Sequence, residues 1–267
     1  MYQEQIQNYI DQLILPSKDS HKGQNGKLLL IGGSELFHAA SKWSLDVASK
    51  FVDMVFYSSV SSNNELIKQA KGEFWNGIVI ERESLEDYLI ESDCILIGPG
   101  MERNIESQEL VNNLLIKFPD KKFVIDAGAL QMVDPNLLNK NHIITPHQEE
   151  MNRLIKKSKE KKIDLDEKQL TILLKGEIDL VTWFENGQKH ELNVSGGNEG
   201  MTKGGTGDVL AGLVASLYCK NISNIAAIVS SYINKKAGDE LYKTVGPFFN
   251  SSDLVEQVPK TLWQEIN

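Results

Sequence analysis

Short apolar runs recur along the chain, at Lys27-Ile31, Val52-Val60, Gly77-Ile80, Cys94-Ile97, Phe123-Ile125, Ile143-Ile144 and Leu170-Leu174. They lack the apolar–polar alternation of a strand with one wet face, so each reads as a strand buried on both sides. Between them lie stretches at helical spacing, such as Leu110, Leu114 and Ile116, or Met151, Leu154 and Ile155. Strand alternating with helix predicts an α/β fold, a mostly parallel sheet covered on both faces. The pattern changes near Asp179-Phe184 and Lys189-Val194, which flank Glu185-Asn186-Gly187-Gln188. Asn-Gly between extended segments predicts a hairpin. From Asp208 the apolar positions Val209, Leu210, Leu213, Val214 and Leu217, then Ile225, Ile228, Val229, Tyr232 and Ile233, predict two helices.

The 267 residues carry 28 basic against 37 acidic side chains, a net charge of −9, which argues against nucleic acid as an electrostatic partner. The lysine-rich run 156–162 therefore reads as a solvated helix end. No apolar run approaches the roughly 18 residues of a membrane span. The start, with Ile6, Tyr9, Ile10, Leu13 and Ile14, reads as an amphipathic helix docked on the domain and lacks the basic region of a signal peptide. Cys94 and Cys219 show neither metal-ligand spacing nor a disulfide framework, so a reducing cytoplasmic location is expected. With no linker-like tract and no repeat, residues 1–267 read as one domain.

The segment Gly196 to Asp208, ending Gly204-Gly205-Thr206-Gly207-Asp208, runs straight into the first of those helices. Glycines before a helix N-terminus let backbone N–H groups converge on an anion, and the helix dipole adds positive potential there, so phosphate is the natural guest. The spacing is neither that of the P-loop nor that of the dinucleotide-binding fingerprint. Two readings of Asp208 stand: an N-cap or first-turn acid, or a general base beside a bound phosphate. Other predicted strands end in Gly32-Gly33-Ser34, Gly98-Pro99-Gly100, Asp126-Ala127-Gly128 and Thr145-Pro146-His147. In an open parallel sheet such turns line one cleft. His147 reads equally as a helix start or a substrate wall, Glu150 as support for a first helical turn, and Lys175-Gly176 as a nucleotide contact or a strand end.

In order, the stretches SHKGQNGKLLLIGGS, LIGPG, VIDAGAL, ITPHQEEMNRL, LLKG and GNEGMTKGGTGDVLAGLVASL resemble the stand-alone or C-terminal domain of the NAD(P)H-hydrate dehydratases, members of the ribokinase-like superfamily. The resemblance spans roughly residues 15 to 255. It implies a three-layer fold with the active site at the carboxyl edge of the sheet. It also implies the chemistry, in which ADP, or ATP in some members, drives removal of water from the S-hydrate of NADH or NADPH. Asp208 matches the acid of the motif, with Gly204, Gly205, Thr206 and Gly207 as its anion hole. Ala39, Gly100, His147 and Asp208 match hydrate-binding positions, and Lys175, Gly176, Glu177, Ile178, Asp179 and Gly207 match nucleotide-binding ones. Magnesium is expected with the nucleotide, and a homo-oligomer, dimer or tetramer, is implied. The chain departs from the family at His38-Ala39, where Gly-Ala is usual, at Met101-Glu102 for Leu-Gly, and at Glu177-Ile178-Asp179 for a small, Thr-containing turn. A kinase of the same fold and a non-catalytic nucleotide-binding subunit are the competing readings.

Overall fold

The computed structural model describes residues 2–74 and 76–267. Among the described residues nine strands form one sheet: β1 (Lys27–Ile31), β2 (Met54–Ser58), β3 (Ile78–Val79), β4 (Cys94–Ile97), β5 (Lys122–Ile125), β6 (His142–Ile144), β7 (Thr171–Leu174), β8 (Asp179–Glu185) and β9 (Gln188–Val194), in the order β3-β2-β1-β4-β5-β6-β7-β8-β9. The strands from β3 across to β7 are parallel, and β8 and β9 join antiparallel at the edge. The helices are α1 (Tyr2–Ile10), α2 (His38–Ala48), α3 (Ser61–Gln69), α4 (Leu85–Glu91), α5 (Ile105–Lys117), α6 (Ala127–Met132), α7 (Gln148–Glu160), α8 (Thr206–Lys220), α9 (Ser223–Val245) and α10 (Ser251–Ile266).

The unalternating runs have the cause expected of them. Leu28 and Leu30 of β1 face one core with Ile6, Leu45, Val209, Ile228 and Leu254, from α1, α2, α8, α9 and α10. Leu29 and Ile31 face a second with Leu89, Val111, Leu130 and Leu154, from α4 to α7. Neither face of β4 or β6 meets water, and fully burying a side chain of this size is worth about 2 kcal/mol; β7, from the run Leu170-Leu174, instead alternates buried with partly exposed positions. The hairpin closes on Asn186 and Gly187, both at positive φ (51° and 77°), with Glu185 paired to Gln188. Two such residues give the mirror-image turn that matches strand twist.

Differences from the sequence reading lie at element ends. The run Val52-Val60 contributes only Met54–Ser58, because the Asp53 carboxylate accepts from the Gly23 and Asn25 amides (2.7 and 3.1 Å) and closes a loop before the strand. Helix α1 stops at Ile10, so Leu13 is buried from a turn while Ile14 is exposed, and Ile116 of α5 is also exposed. Helix α8 begins at Thr206, two residues before Asp208. The lysine-rich run is the end of α7 and the turn beyond, where Lys157 caps the carbonyls of Met132 and Val133 and Lys161 pairs with Asp134. Cys94 and Cys219 are both free and buried. Among the described residues no helix is long and apolar enough to cross a membrane.

Candidate active site

The strand order reverses between β1 and β4, and there the Gly33 amide donates to the Pro99 carbonyl at 2.7 Å. Crevices at such points, beyond the carboxyl ends of parallel strands, are where α/β sheets bind ligands. Gly100 sits in this crevice at φ 69°, tight against the Phe37 carbonyl and the Ala40 side chain, which places it beside Ala39 in the exposed first turn of α2. The neighbouring His38 is tied through Nδ1 to the Asn63 Oδ1 at 2.5 Å.

Helix α8 starts at the same edge. Its N-cap is Gly205 at φ 98°, where a Cβ would collide with the Trp43 ring, so only glycine fits. The loop in front is braced by Thr206 Oγ1 to the Met201 and Lys203 carbonyls (2.8 and 3.1 Å) and by Ser251 Oγ to the Gly204 carbonyl (2.8 Å). Lys203 turns away from the helix start, toward the Pro247 and Phe249 carbonyls. The first full helical hydrogen bond runs from the Val209 amide to the Gly205 carbonyl, 3.0 Å. The Gly207 and Asp208 amides find no acceptor among the described residues, which leaves two donors facing the cleft. Asp208 is thus the third residue of the helix and not its cap, which removes one of its two plain structural readings.

Around Asp208 lie one lysine and two buried carboxylates. Lys175, just beyond β7, donates from Nζ to Asp126 Oδ1 at 2.8 Å, and Thr145 Oγ1 donates to the same oxygen at 2.8 Å. The ammonium lies close against Gly207, 3.6 Å from where a Cβ would stand. Asp126 is 2 % exposed and Glu150 5 %. Burial pushes the half-buried Asp208 carboxyl up to about 7; Asp126 and Glu150 add to the rise, and Lys175 opposes it. Burial pulls Lys175 down, but Asp126, Glu150 and Asp208 together outweigh it, so its ammonium is held above the usual lysine value. Among the described residues no three His, Cys, Asp or Glu side chains converge as a metal site. The residues therefore do not fit a magnesium ion held by the protein alone.

His147 is the N-cap of α7: its Nδ1 accepts from the Glu149 and Glu150 amides (3.1 and 3.4 Å), and the Glu150 carboxylate accepts from the His147 amide at 3.0 Å. The ring is 51 % exposed, with Nε2 3.6 Å from Glu150. Strand-end bridging sets His147 beside Lys175.

From Lys175 and Gly207 a cavity of about 650 Å³ runs between the turn 175–179, the loop 196–202 and helices α8 and α9. Gly176, Glu177 and Asp179 line it, whereas Ile178 does not and is 57 % exposed. Asp179 is engaged internally, accepting from the Gly176 amide (2.9 Å) and Ser231 Oγ (2.7 Å) and pairing with Lys235 (3.3 Å). Lys235, 7 % exposed, also donates to the Gly176 and Glu177 carbonyls at 3.0 Å each. The structure thus brings together Asp126, Glu150 and Lys235 with the expected residues. The sequence pattern shows the first only as a strand end and the second only as first-turn support. Lys235 carried no signal, since it lies among the apolar positions of α9.

A family model described as NAD(P)H-hydrate dehydratase matches residues 28–260. A bifunctional NAD(P)H-hydrate repair enzyme of Methanocaldococcus jannaschii is 36 % identical over 91 % of this chain and 49 % of its own length, so the chain spans about half of that relative. An ADP-dependent (S)-NAD(P)H-hydrate dehydratase of Nitrosopumilus maritimus is 32 % identical over 91 % of both. In fold, the chain superposes on a ribokinase-like superfamily protein of Enterococcus faecalis with a TM-score of 0.81 at 22 % identity, covering 97 % of this chain and 94 % of that one. An ADP/ATP-dependent NAD(P)H-hydrate dehydratase of Bacillus subtilis, co-crystallised with ATP and Mg2+, gives 0.75 at 20 % identity, covering 98 % and 97 %. With the glycine-bounded α8, the strand-end crevice and this match across most of its length, the chain belongs to the NAD(P)H-hydrate dehydratase family.

Proposed function

We propose that the chain removes water from the S-hydrate of NADH or NADPH at the expense of ADP, or of ATP. The placement of Asp208 carries this reading: a carboxyl poised near 7, in the first turn of α8, beside two free amides and the Lys175 ammonium. A carboxylate with that value is matched to general-base work at neutral pH. Asp208 takes the proton of the ring hydroxyl as its oxygen attacks the terminal phosphorus. The bond to the bridging oxygen breaks and releases AMP from ADP, or ADP from ATP. The Gly207 and Asp208 amides and Lys175 hold the charge on the transferring group. The new ester then leaves as phosphate while the adjacent ring carbon gives up a proton, restoring the double bond. A magnesium ion bound with the nucleotide would neutralise charge on its phosphates, and no residue of this chain is assigned to hold it.

Ala39, Gly100 and His147 are assigned to the hydrate, and the turn Lys175, Gly176, Glu177, Ile178 and Asp179 to the nucleotide, supported by the strand-end crevice around Gly100 and by the cavity that Lys175, Gly176, Glu177 and Asp179 line, with Ile178 outside it. The continuous sheet supports one domain over 1–267. A cytoplasmic location, supported by the two free cysteines, and assembly as a dimer or tetramer belong to the same proposal. Incubating the protein with hydrated NADH plus ADP, ATP or neither, and following dihydronicotinamide absorbance, tests it. Recovery with nucleotide alone is expected. An unchanged hydrate beside a phosphorylated small alcohol transfers the site to a kinase.

A further inference from the structure

Asn234 lies on α9 and lines the cavity that opens at Gly207 and Lys175, yet it is only 4 % exposed. Its Oδ1 is shielded from solvent and accepts no hydrogen bond among the described residues. An amide oxygen buried without a partner is costly, and such groups are rare in native structures. Its neighbour Lys235 is saturated by the Gly176 and Glu177 carbonyls and Asp179, so it cannot relieve Asn234. The apolar side chains lining this cavity are Leu210 and Met201. The cavity therefore has a cationic, amide-lined end suited to phosphate, and apolar surface with one carboxamide, its oxygen unpaired among the described residues, suited to a flat, polar-edged ring.

We propose that the Asn234 carboxamide turns into the cavity on binding, reads the base edge of the nucleotide and selects adenine over 6-oxopurines. This rests on the nucleotide reading of the cavity. A carboxamide offers an acceptor and a donor side by side, the complement of adenine's 6-amino group and N7, and such paired contacts discriminate bases. Hypoxanthine or guanine places an acceptor where adenine has a donor. Whichever way the carboxamide turns, one acceptor then meets another, and the buried Oδ1 is left unpaired or repelled.

Direct binding to the full chain tests this, using ADP, IDP and 2′-deoxy-ADP with the parent, Asn234→Leu and Asn234→Asp. The parent should bind ADP about 10-fold to 100-fold more tightly than IDP, with 2′-deoxy-ADP close to ADP. Asn234→Leu, of similar size, should lose most of that preference by weakening ADP, while its melting temperature holds or rises because an unsatisfied polar atom has gone. Asn234→Asp, which keeps acceptors but no donor, should bind ADP more weakly than the parent. Equal parental affinity for ADP and IDP overturns the proposal without needing any variant. So does a preference that survives Asn234→Leu, or a loss confined to 2′-deoxy-ADP, which would assign Asn234 to the ribose. A parent that binds ADP and IDP alike still has a nucleotide site, whereas one that binds none of the three removes the nucleotide reading as well.

Discussion

Lys175 gives its hydrogen bond to Asp126, 2.8 Å away, and not to Asp208, whose carboxylate accepts none among the described residues. Asp126 is thereby paired while buried, and its charge helps raise Asp208 to about 7. One ion pair positions the lysine and, through like-charge repulsion, tunes the neighbouring acid.

Replacing that acid separates its roles. Asp208→Asn keeps the shape and leaves the Gly205 cap in place, so the fold should persist. Turnover should fall about 100-fold to 10,000-fold, with nucleotide affinity unchanged or tighter because a negative charge near the phosphates has gone. Single-turnover rates beside nucleotide titration check this, and near-parental turnover would reduce Asp208 to a first-turn helix residue.

If Asp208 must be ionised to act, kcat should drop about tenfold per pH unit below about 7. Lys175 holds that value down, so Lys175→Met should move the acid limb to higher pH as well as slow the reaction. A limb that stays in place after the substitution would detach it from Asp208.

The same shift is a stability statement. Asp208 is raised in the folded chain above its unfolded value, so its contribution is full below about 4 and is lost as pH rises through about 7. Asp208→Asn should be more stable than the parent at pH 8 by about 2 kcal/mol, allowing for water reaching the half-buried group, with the advantage vanishing at pH 4. Urea unfolding at both pH values decides it.

His142 has the opposite sign. Fully buried against Phe123, its ring is pushed down to about 4 by burial, with Nδ1 accepting from the Asn139 amide and Nε2 unpaired among the described residues. The unfolded chain takes up the proton first, so acidification from about 6.5 to about 4 should remove about 3 kcal/mol. His142→Phe loses the Asn139 contact at every pH but should abolish that slope. A slope equal to the parent's would place the acid sensitivity elsewhere.

For His147, capping and substrate contact separate by choice of replacement. His147→Ala should cost about 1 kcal/mol of stability and raise KM for the hydrate more than it weakens nucleotide binding. Asn caps well, so His147→Asn should restore the melting temperature and leave KM high. Recovery of both would make His147 a cap and nothing more.

The strands, the hairpin at Asn186-Gly187 and the glycine-bounded helix were legible because each is dictated locally, by burial on both faces, by positive φ or by orphan amides at a helix start. Element ends were less legible. Asp53 delays the start of a strand through contacts with Gly23 and Asn25, about thirty residues away, that no local pattern displays. The sequence by itself determined which backbone segments could form a phosphate-binding edge and that Asp208 would stand on it. Only the tertiary structure decided that Asp126 and Glu150 crowd Asp208 while Lys175 turns to Asp126, that Lys235 locks the 176–179 turn through Asp179, and that Asn234 Oδ1 is left without a partner among the described residues. Electrostatic coupling and polar satisfaction depend on distances between distant segments, and packing the helices on the sheet sets those distances.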